Sequence, residues 1–173
     1  MSIDVDSLAK DVYDSEEDIL KHIRTVFGEE VFDGESLDFG ALADRVFSSS
    51  AELKKLNRIM FPLIRREVKN QIREYTDKDF VIIDAAVLFN CKLDVLCDYV
   101  IWVKASKDVR KKNLLNKGIP EQKAEMKIKG QKIRLCNGRM DYVIENNGDR
   151  KKLESICGKV AEDIHRRYGD ING

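Results

Sequence analysis

Two short apolar runs stand apart from a chain whose other apolar residues mostly recur at helical spacing: FVII at 80–83 and YVIWV at 99–103. Both are too short for a helix with one buried face, and both are rich in β-branched and aromatic residues, so they predict strands. Neither alternates apolar with polar, which predicts a parallel sheet covered by helices on both faces. Residues 2–5 and 141–144 predict two further strands. Elsewhere the period lengthens. Leu8, Ala9 and Val12 predict a turn or two of helix. Ser15, followed by Glu16, Glu17 and Asp18, reads as an N-cap with an acidic first turn; Ile19, Leu20, Ile23, Val26 and Phe27 supply the apolar face, and Gly28 the stop.

Residues 31–37 carry Asp33-Gly34 and predict a tight hairpin, and 39–47 predict a short helix ended by the serines at 48–50. Ser50 is the expected cap of the longest helix, 51–75, in which Leu53, Leu56, Met60, Leu63, Ile64, Val68 and Ile72 keep one face apolar. Pro62 falls inside it and is expected to kink or split it. The link between the two central strands holds a turn or two of helix at 93–97. Ser106 opens a charged helix that Gly118 ends, Pro120 starts another that reaches 135, and Leu153, Ile156, Val160, Ile164 and Tyr168 mark the core face of a last one.

Strand, helices, strand, strand, helical pair, strand, helix is the order of an α/β fold with a parallel, doubly wound sheet. The whole chain, 1–173, reads as a single domain. Within it 28–76 is a mostly helical insert, and 106–137, poor in large apolar residues, is expected to be a loosely held flap.

Charge narrows the possible partners. The 31 basic and 31 acidic residues cancel, which argues against a dedicated nucleic-acid or membrane-surface protein. Cys91, Cys97, Cys136 and Cys157 form no CxxC pair and have no histidine at ligand spacing, so buried free thiols are expected rather than a metal site or disulfide framework. No apolar run is long enough to span a bilayer and no secretory leader is recognisable, so a cytoplasmic location is expected.

In open α/β sheets ligands sit at the carboxyl ends of the strands. Asp84 closes the run at 80–83 and Asp6 closes the one at 2–5, so both are candidates for a site. A carboxylate there can accept a proton from a substrate hydroxyl. Each residue also has a plainer reading: Asp6 as N-cap of the helical turn after it, Asp84 as cap of the turn after its strand, and Asn146-Asn147-Gly148 as a good turn.

Several pieces follow one another in a single order: IDVD at 3–6, NRIMFPLIRREV at 57–68, VIIDAAVLF at 81–89, LCDYVIWVKAS at 96–106, a lysine-rich stretch ending at Gln131, and DYVIENNGD at 141–149. Together they resemble the dephospho-coenzyme A kinase family over nearly the whole chain. The resemblance implies a P-loop kinase of the nucleoside-monophosphate type, with a five-stranded parallel sheet, a helical CoA-binding insert and a lid. It implies transfer of the γ-phosphate of ATP, with Mg²⁺, to the ribose 3′-hydroxyl of dephospho-CoA. Carried over by position, Asp6 is the catalytic base facing that hydroxyl and Asp4 is structural. Asp84 orders a Mg²⁺-bound water beside the substrate. Pro62 and Arg65 contact the CoA end, Gln131 and Arg134 close the lid helix over the ATP phosphates with Arg134 reaching the transferring group, and Asn146, Asn147 and Gly148 fold around the ATP adenine.

The largest departure from the family is that no stretch reads G-x-x-x-x-G-K-[ST]; Gly158-Lys159 lacks the upstream glycine. The chain is therefore expected to be N-terminally truncated relative to the family, lacking its first strand and phosphate loop, and impaired as a kinase. Losing even one preorganised donor costs on the order of 10²–10³ in rate. The alternatives are a non-catalytic relative that binds CoA or adenine nucleotide, and a helical interaction module built on 51–76. Phe61 replaces the usual histidine before the proline, Ala86 and Asn90 replace a proline and a glutamate, and Lys112 and Asn116 stand where lid arginines are common.

Overall fold

A computed structural model describes residues 1–15, 17–130 and 140–172. The chain forms two compact units, Met1–Leu96 and Cys97–Gly173. None of the described helices is long and apolar enough to cross a membrane.

The first unit begins with strand β1 (Ser2–Asp4) and passes at once into helix α1 (Val5–Ser15). The switch is made by Asp4. Its Oδ1 accepts from the backbone N–H groups of Asp6 and Ser7 at 3.0 and 3.1 Å, and its Oδ2 accepts from the Ser7 hydroxyl at 2.9 Å. Those donors would otherwise be orphans of the first helical turn. Helix α2 (Glu17–Phe27) follows, and Gly28 turns the chain at φ 87°, a value only glycine adopts without strain. Strands β2 (Phe32–Asp33) and β3 (Ser36–Leu37) form the antiparallel hairpin expected around Gly34. Helix α3 (Phe39–Ser48) is capped by Asp38, whose carboxylate accepts from Gly40 and Ala41.

Helix α4 (Ser50–Glu74) is the longest described element at 25 residues. Strand β4 (Ile82–Asp84) then pairs in parallel with β1, in the register Ser2–Ile82, Ile3–Ile83 and Asp4–Asp84. The pairing is extended by Met1, whose carbonyl accepts from Ile82 N–H at 2.8 Å and whose ammonium donates to Phe80 O at 3.0 Å. Ile3, Val5, Leu8 and Val12 meet Ile19, Ile23 and Phe27 of α2, Leu42 and Val46 of α3, Met60, Ile64 and Val68 of α4, and Cys91 and Leu93 in one buried cluster. Each such aliphatic or aromatic side chain contributes roughly 1.5–3 kcal/mol relative to exposure.

The second unit holds strands β5 (Ile101–Lys104) and β6 (Tyr142–Glu145), paired in parallel from Ile101–Tyr142 to Lys104–Glu145. Helices α5 (Lys107–Asn116) and α6 (Glu121–Gly130) lie between them in sequence, and α7 (Arg150–Asn172) follows β6. Ser106 caps α5 through its hydroxyl, and Gly118 reverses the chain at φ 75°. Lys111 joins the two helices by ion pairs of 2.6 Å to Glu121 and 2.9 Å to Glu125, which hold its pKa above the usual lysine range. Tyr142 anchors α7 by donating to Asp163 at 2.7 Å.

The expected α/β class with parallel strand pairing is present, and several details differ. The cap of α4 is Ser49, whose hydroxyl accepts from Ala51 N–H, and Ser50 is already helical. Helix α1 is a full 11-residue helix ending at Ser15, longer than the turn or two expected, because Asp4 starts it early. Pro62 does not split α4; buried Met60 and Ile64 on either side of it keep both halves on the core. The link between β4 and β5 holds only a single 3-10 turn at Asp94–Leu96. The apolar runs are not covered on both faces. Ile82, Val103 and Val143 are more than half exposed, and Tyr168 of α7 is exposed where core was expected.

Candidate functional site

Three carboxylates gather at the carboxyl ends of the first parallel pair. Asp4 and Asp84 are register partners, and Asp6 lies two residues beyond Asp4 in the first turn of α1. Asp4 is committed to capping, and its three hydrogen bonds, chiefly those from Ser7, hold its carboxyl below the usual range. The plainer reading of Asp6 as that cap is thereby removed. Asp6 and Asp84 are both exposed, and their carboxylates have no hydrogen-bond or ion-pair partner among the described residues.

Beside Asp6 a cavity of about 160 Å³ opens between α1 and α4. Tyr13 and Ala9 come from α1, Leu56, Asn57 and Phe61 from α4, and Val87 from the segment after β4. Tyr13 packs edge-on against Phe39 at 5.3 Å, and burial pushes its phenol up to about 12, so the hydroxyl stays protonated. Sequence reasoning missed both Tyr13 and Asn57. The available signal was Asn57 itself, a polar residue on the same four-residue stripe as Met60, Ile64 and Val68.

Pro62 and Arg65 lie on another face of α4, where a shallow groove of about 300 Å³ is lined by Pro62, Arg65, Arg66, Lys69, Asn70 and Arg73. Four cations and no carboxylate border it, so it favours anions. Arg65 also points back into the unit, donating from Nε and Nη2 to the Cys91 carbonyl at 3.1 and 2.7 Å. Cys91 Sγ donates in turn to Phe61 O at 3.3 Å, so α4 and the segment following Asp84 are tied together twice. Burial raises the Cys91 thiol pKa.

In the second unit, Asn146, Asn147 and Gly148 form the loop after β6. Asn146 N–H donates to Lys104 O at 2.8 Å, the Asn147 side-chain oxygen accepts from Ser106 N–H at 3.1 Å, and Gly148 has φ 99°. The loops after β5 and β6 are thus one hydrogen-bonded strip, closed by Asp149, which caps α7 by accepting from Lys152 N–H. Gln131 and Arg134 lie outside the described residues. Among the described residues no cluster of three or more His, Cys, Asp or Glu could hold a metal. Magnesium in nucleotide sites keeps several waters and needs only one or two carboxylates besides the phosphates, and the free Asp84 carboxylate fits that demand.

A solved dephospho-CoA kinase from Campylobacter jejuni has the same fold, with a TM-score of 0.62 and 20% identity, covering 96% of this chain and 86% of its own. Two parallel strand pairs with long connecting helices give this chain the α/β fold of that kinase. The family model for dephospho-CoA kinase matches residues 1–152, and the chain belongs to that family. A dephospho-CoA kinase from Bdellovibrio bacteriovorus is 32% identical over 164 residues, covering 92% of this chain and 82% of that protein. One from Corynebacterium diphtheriae is 29% identical over 171 residues, covering 96% and 84%.

Proposed function

We propose that this ATP-dependent kinase phosphorylates the ribose 3′-hydroxyl of dephospho-CoA with Asp6 as its general base. The observation that carries the assignment is the division of labour at the end of β1: Asp4 caps α1, which leaves the exposed Asp6 carboxylate free to face a substrate. As the substrate 3′-oxygen bonds to the γ-phosphorus, the bond from that phosphorus to the β–γ bridging oxygen breaks and ADP leaves. The hydroxyl proton passes to Asp6. Asp84, in register with Asp4, would orient a water on Mg²⁺, which when bound neutralises charge on the transferring phosphate.

Pro62 opens the cationic groove that offers charge to the phosphates of the CoA end, and Arg65 holds the segment after β4 through the Cys91 carbonyl. The strip Asn146-Asn147-Gly148 receives the ATP adenine. Gln131 and Arg134 serve the phosphates, with Arg134 on the transferring group. The insert 28–76 is the acceptor-binding part of the domain and 106–137 its lid. The 173 residues contain no G-x-x-x-x-G-K-[ST], so no cradle for the donor phosphates is assigned here. A reducing cytoplasm suits the free thiols Cys91, Cys97 and Cys157.

The test incubates the purified chain with ATP, Mg²⁺ and dephospho-CoA and follows CoA by mass spectrometry. Product phosphorylated at the 3′ position is expected. Tight binding of dephospho-CoA with no product under any condition would favour the non-catalytic reading.

A further inference from the structure

We propose that Lys111 is a positioning residue for the phosphate donor: by pairing with Glu121 and Glu125 it compensates the two carboxylates of α6, so that the helix pair α5–α6 attracts the phosphates of ATP rather than repelling them. The inference rests on the reading of 106–137 as the part of the chain that serves those phosphates. It extends that reading to three residues that neither the family match nor the sequence motifs assign.

The contacts come first. The acidic residues of α6 are Glu121 and Glu125, one turn apart and therefore on one side of the helix. Lys111 Nζ, reaching across from α5, lies 2.6 Å from Glu121 Oε1 and 2.9 Å from Glu125 Oε1. One ammonium thus meets both carboxylates. These bonds, the one to Glu121 foremost, keep the lysine protonated. The lysine side chain is 33% exposed and that of Glu121 65%. Ion pairs so open to water add little stability, and their larger effect is on the field around them.

Charge comes second. With its glutamates compensated, α6 is left with Lys123 and Lys127, neither of which meets a carboxylate among the described residues. Helix α5 adds Lys107, Arg110 and Lys112 against Asp108. The pair is therefore positive in a chain whose net charge is zero. Its place in the unit brings that charge to bear. The Asn147 side-chain oxygen accepts from Ser106 N–H at 3.1 Å, which fastens the start of α5 to the strip assigned to the adenine. Lys111 follows about 7.5 Å along the axis, at roughly 1.5 Å per residue, inside the roughly 10 Å reach of a charge at about 0.1 M salt.

The test titrates ATP with Mg²⁺ into the intact chain by calorimetry, at about 0.1 M and about 0.5 M salt. Lys111→Met should weaken ATP binding about threefold or more at the lower salt, with the gap closing at the higher and dephospho-CoA binding unchanged. Glu121→Gln with Glu125→Gln breaks the same ion pairs, yet should bind ATP at least as tightly as wild type. A merely structural tie would weaken binding in both variants alike. Equal losses therefore overturn the proposal, as does unchanged ATP affinity in a folded Lys111→Met. Should methionine unsettle the helix pair, the double glutamine variant decides alone: weaker ATP binding there overturns the proposal. Failure of wild type to bind ATP overturns instead the donor reading beneath it.

Discussion

Asp4 and Asp84 are register partners at the carboxyl ends of two parallel strands, yet among the described residues only the Asp4 carboxylate finds hydrogen-bond partners. The two should therefore respond differently to the same substitution. Asp4→Ala removes a helix cap and should lower stability by about 1 kcal/mol, within the range of roughly 0.5–2 for such caps. Asp84→Ala removes no bond to a described residue and should stay within about 0.5 kcal/mol of wild type. Urea denaturation of both variants checks this, and equal losses would contradict the assigned roles.

The same cap sets a pH dependence. The carboxyl of Asp4 titrates below the ordinary aspartate range in the folded chain, mainly because the Ser7 N–H and hydroxyl donate to it. A group with a depressed folded pKa stabilises above its unfolded pKa and loses that contribution as pH falls through the folded value. Stability should thus be constant near neutrality and decline below about pH 4 in part through Asp4. In Asp4→Asn the decline should be shallower, which denaturation at stepped pH values measures.

Arg65 and Cys91 form the tie between α4 and the segment after Asp84. Arg65→Ala takes two donors from one partly buried carbonyl and should cost about 1–3 kcal/mol. Arg65→Lys should recover only part, because a single ammonium cannot reproduce the paired geometry. Burial that raises the Cys91 pKa should also slow its alkylation. The exposed Cys157 should react before Cys91, and Cys91 only under conditions that unfold the first unit. Peptide mapping after iodoacetamide pulses gives the order.

The loop after β6 supports a separation of substrate effects. Asn147→Ala removes the acceptor for Ser106 N–H, and Gly148→Ala places a side chain at φ 99°, at a cost of about 1–2 kcal/mol. Both should raise KM for ATP and leave KM for dephospho-CoA nearly unchanged. A rise confined to dephospho-CoA would remove this loop from the ATP site.

Much of the scaffold was legible from local chemistry. Asp33-Gly34 announced its hairpin, Ser106 and Gly118 bounded α5, and the apolar runs became strands within one or two residues of the expected limits. Local chemistry failed where neighbours competed. Ser49 and Ser50 are equally good caps by type, and only backbone geometry chose Ser49. Asp6 was the expected cap of α1, and Asp4 takes that place because the chain turns from strand to helix two residues earlier than its pattern suggests. Tyr13 and Asn57 were hidden for a different reason. They belong to two helices far apart in sequence, and they share a cavity only once α1 packs on α4.

The most direct measurement of the central claim is single-turnover phosphorylation of dephospho-CoA by wild type and Asp6→Asn, with acceptor affinity measured alongside. If Asp6 is the base and Asp4 the cap, Asp6→Asn should bind the acceptor within about threefold of wild type and transfer phosphate roughly 10²–10⁴ times more slowly. Transfer at the wild-type rate in Asp6→Asn would contradict it.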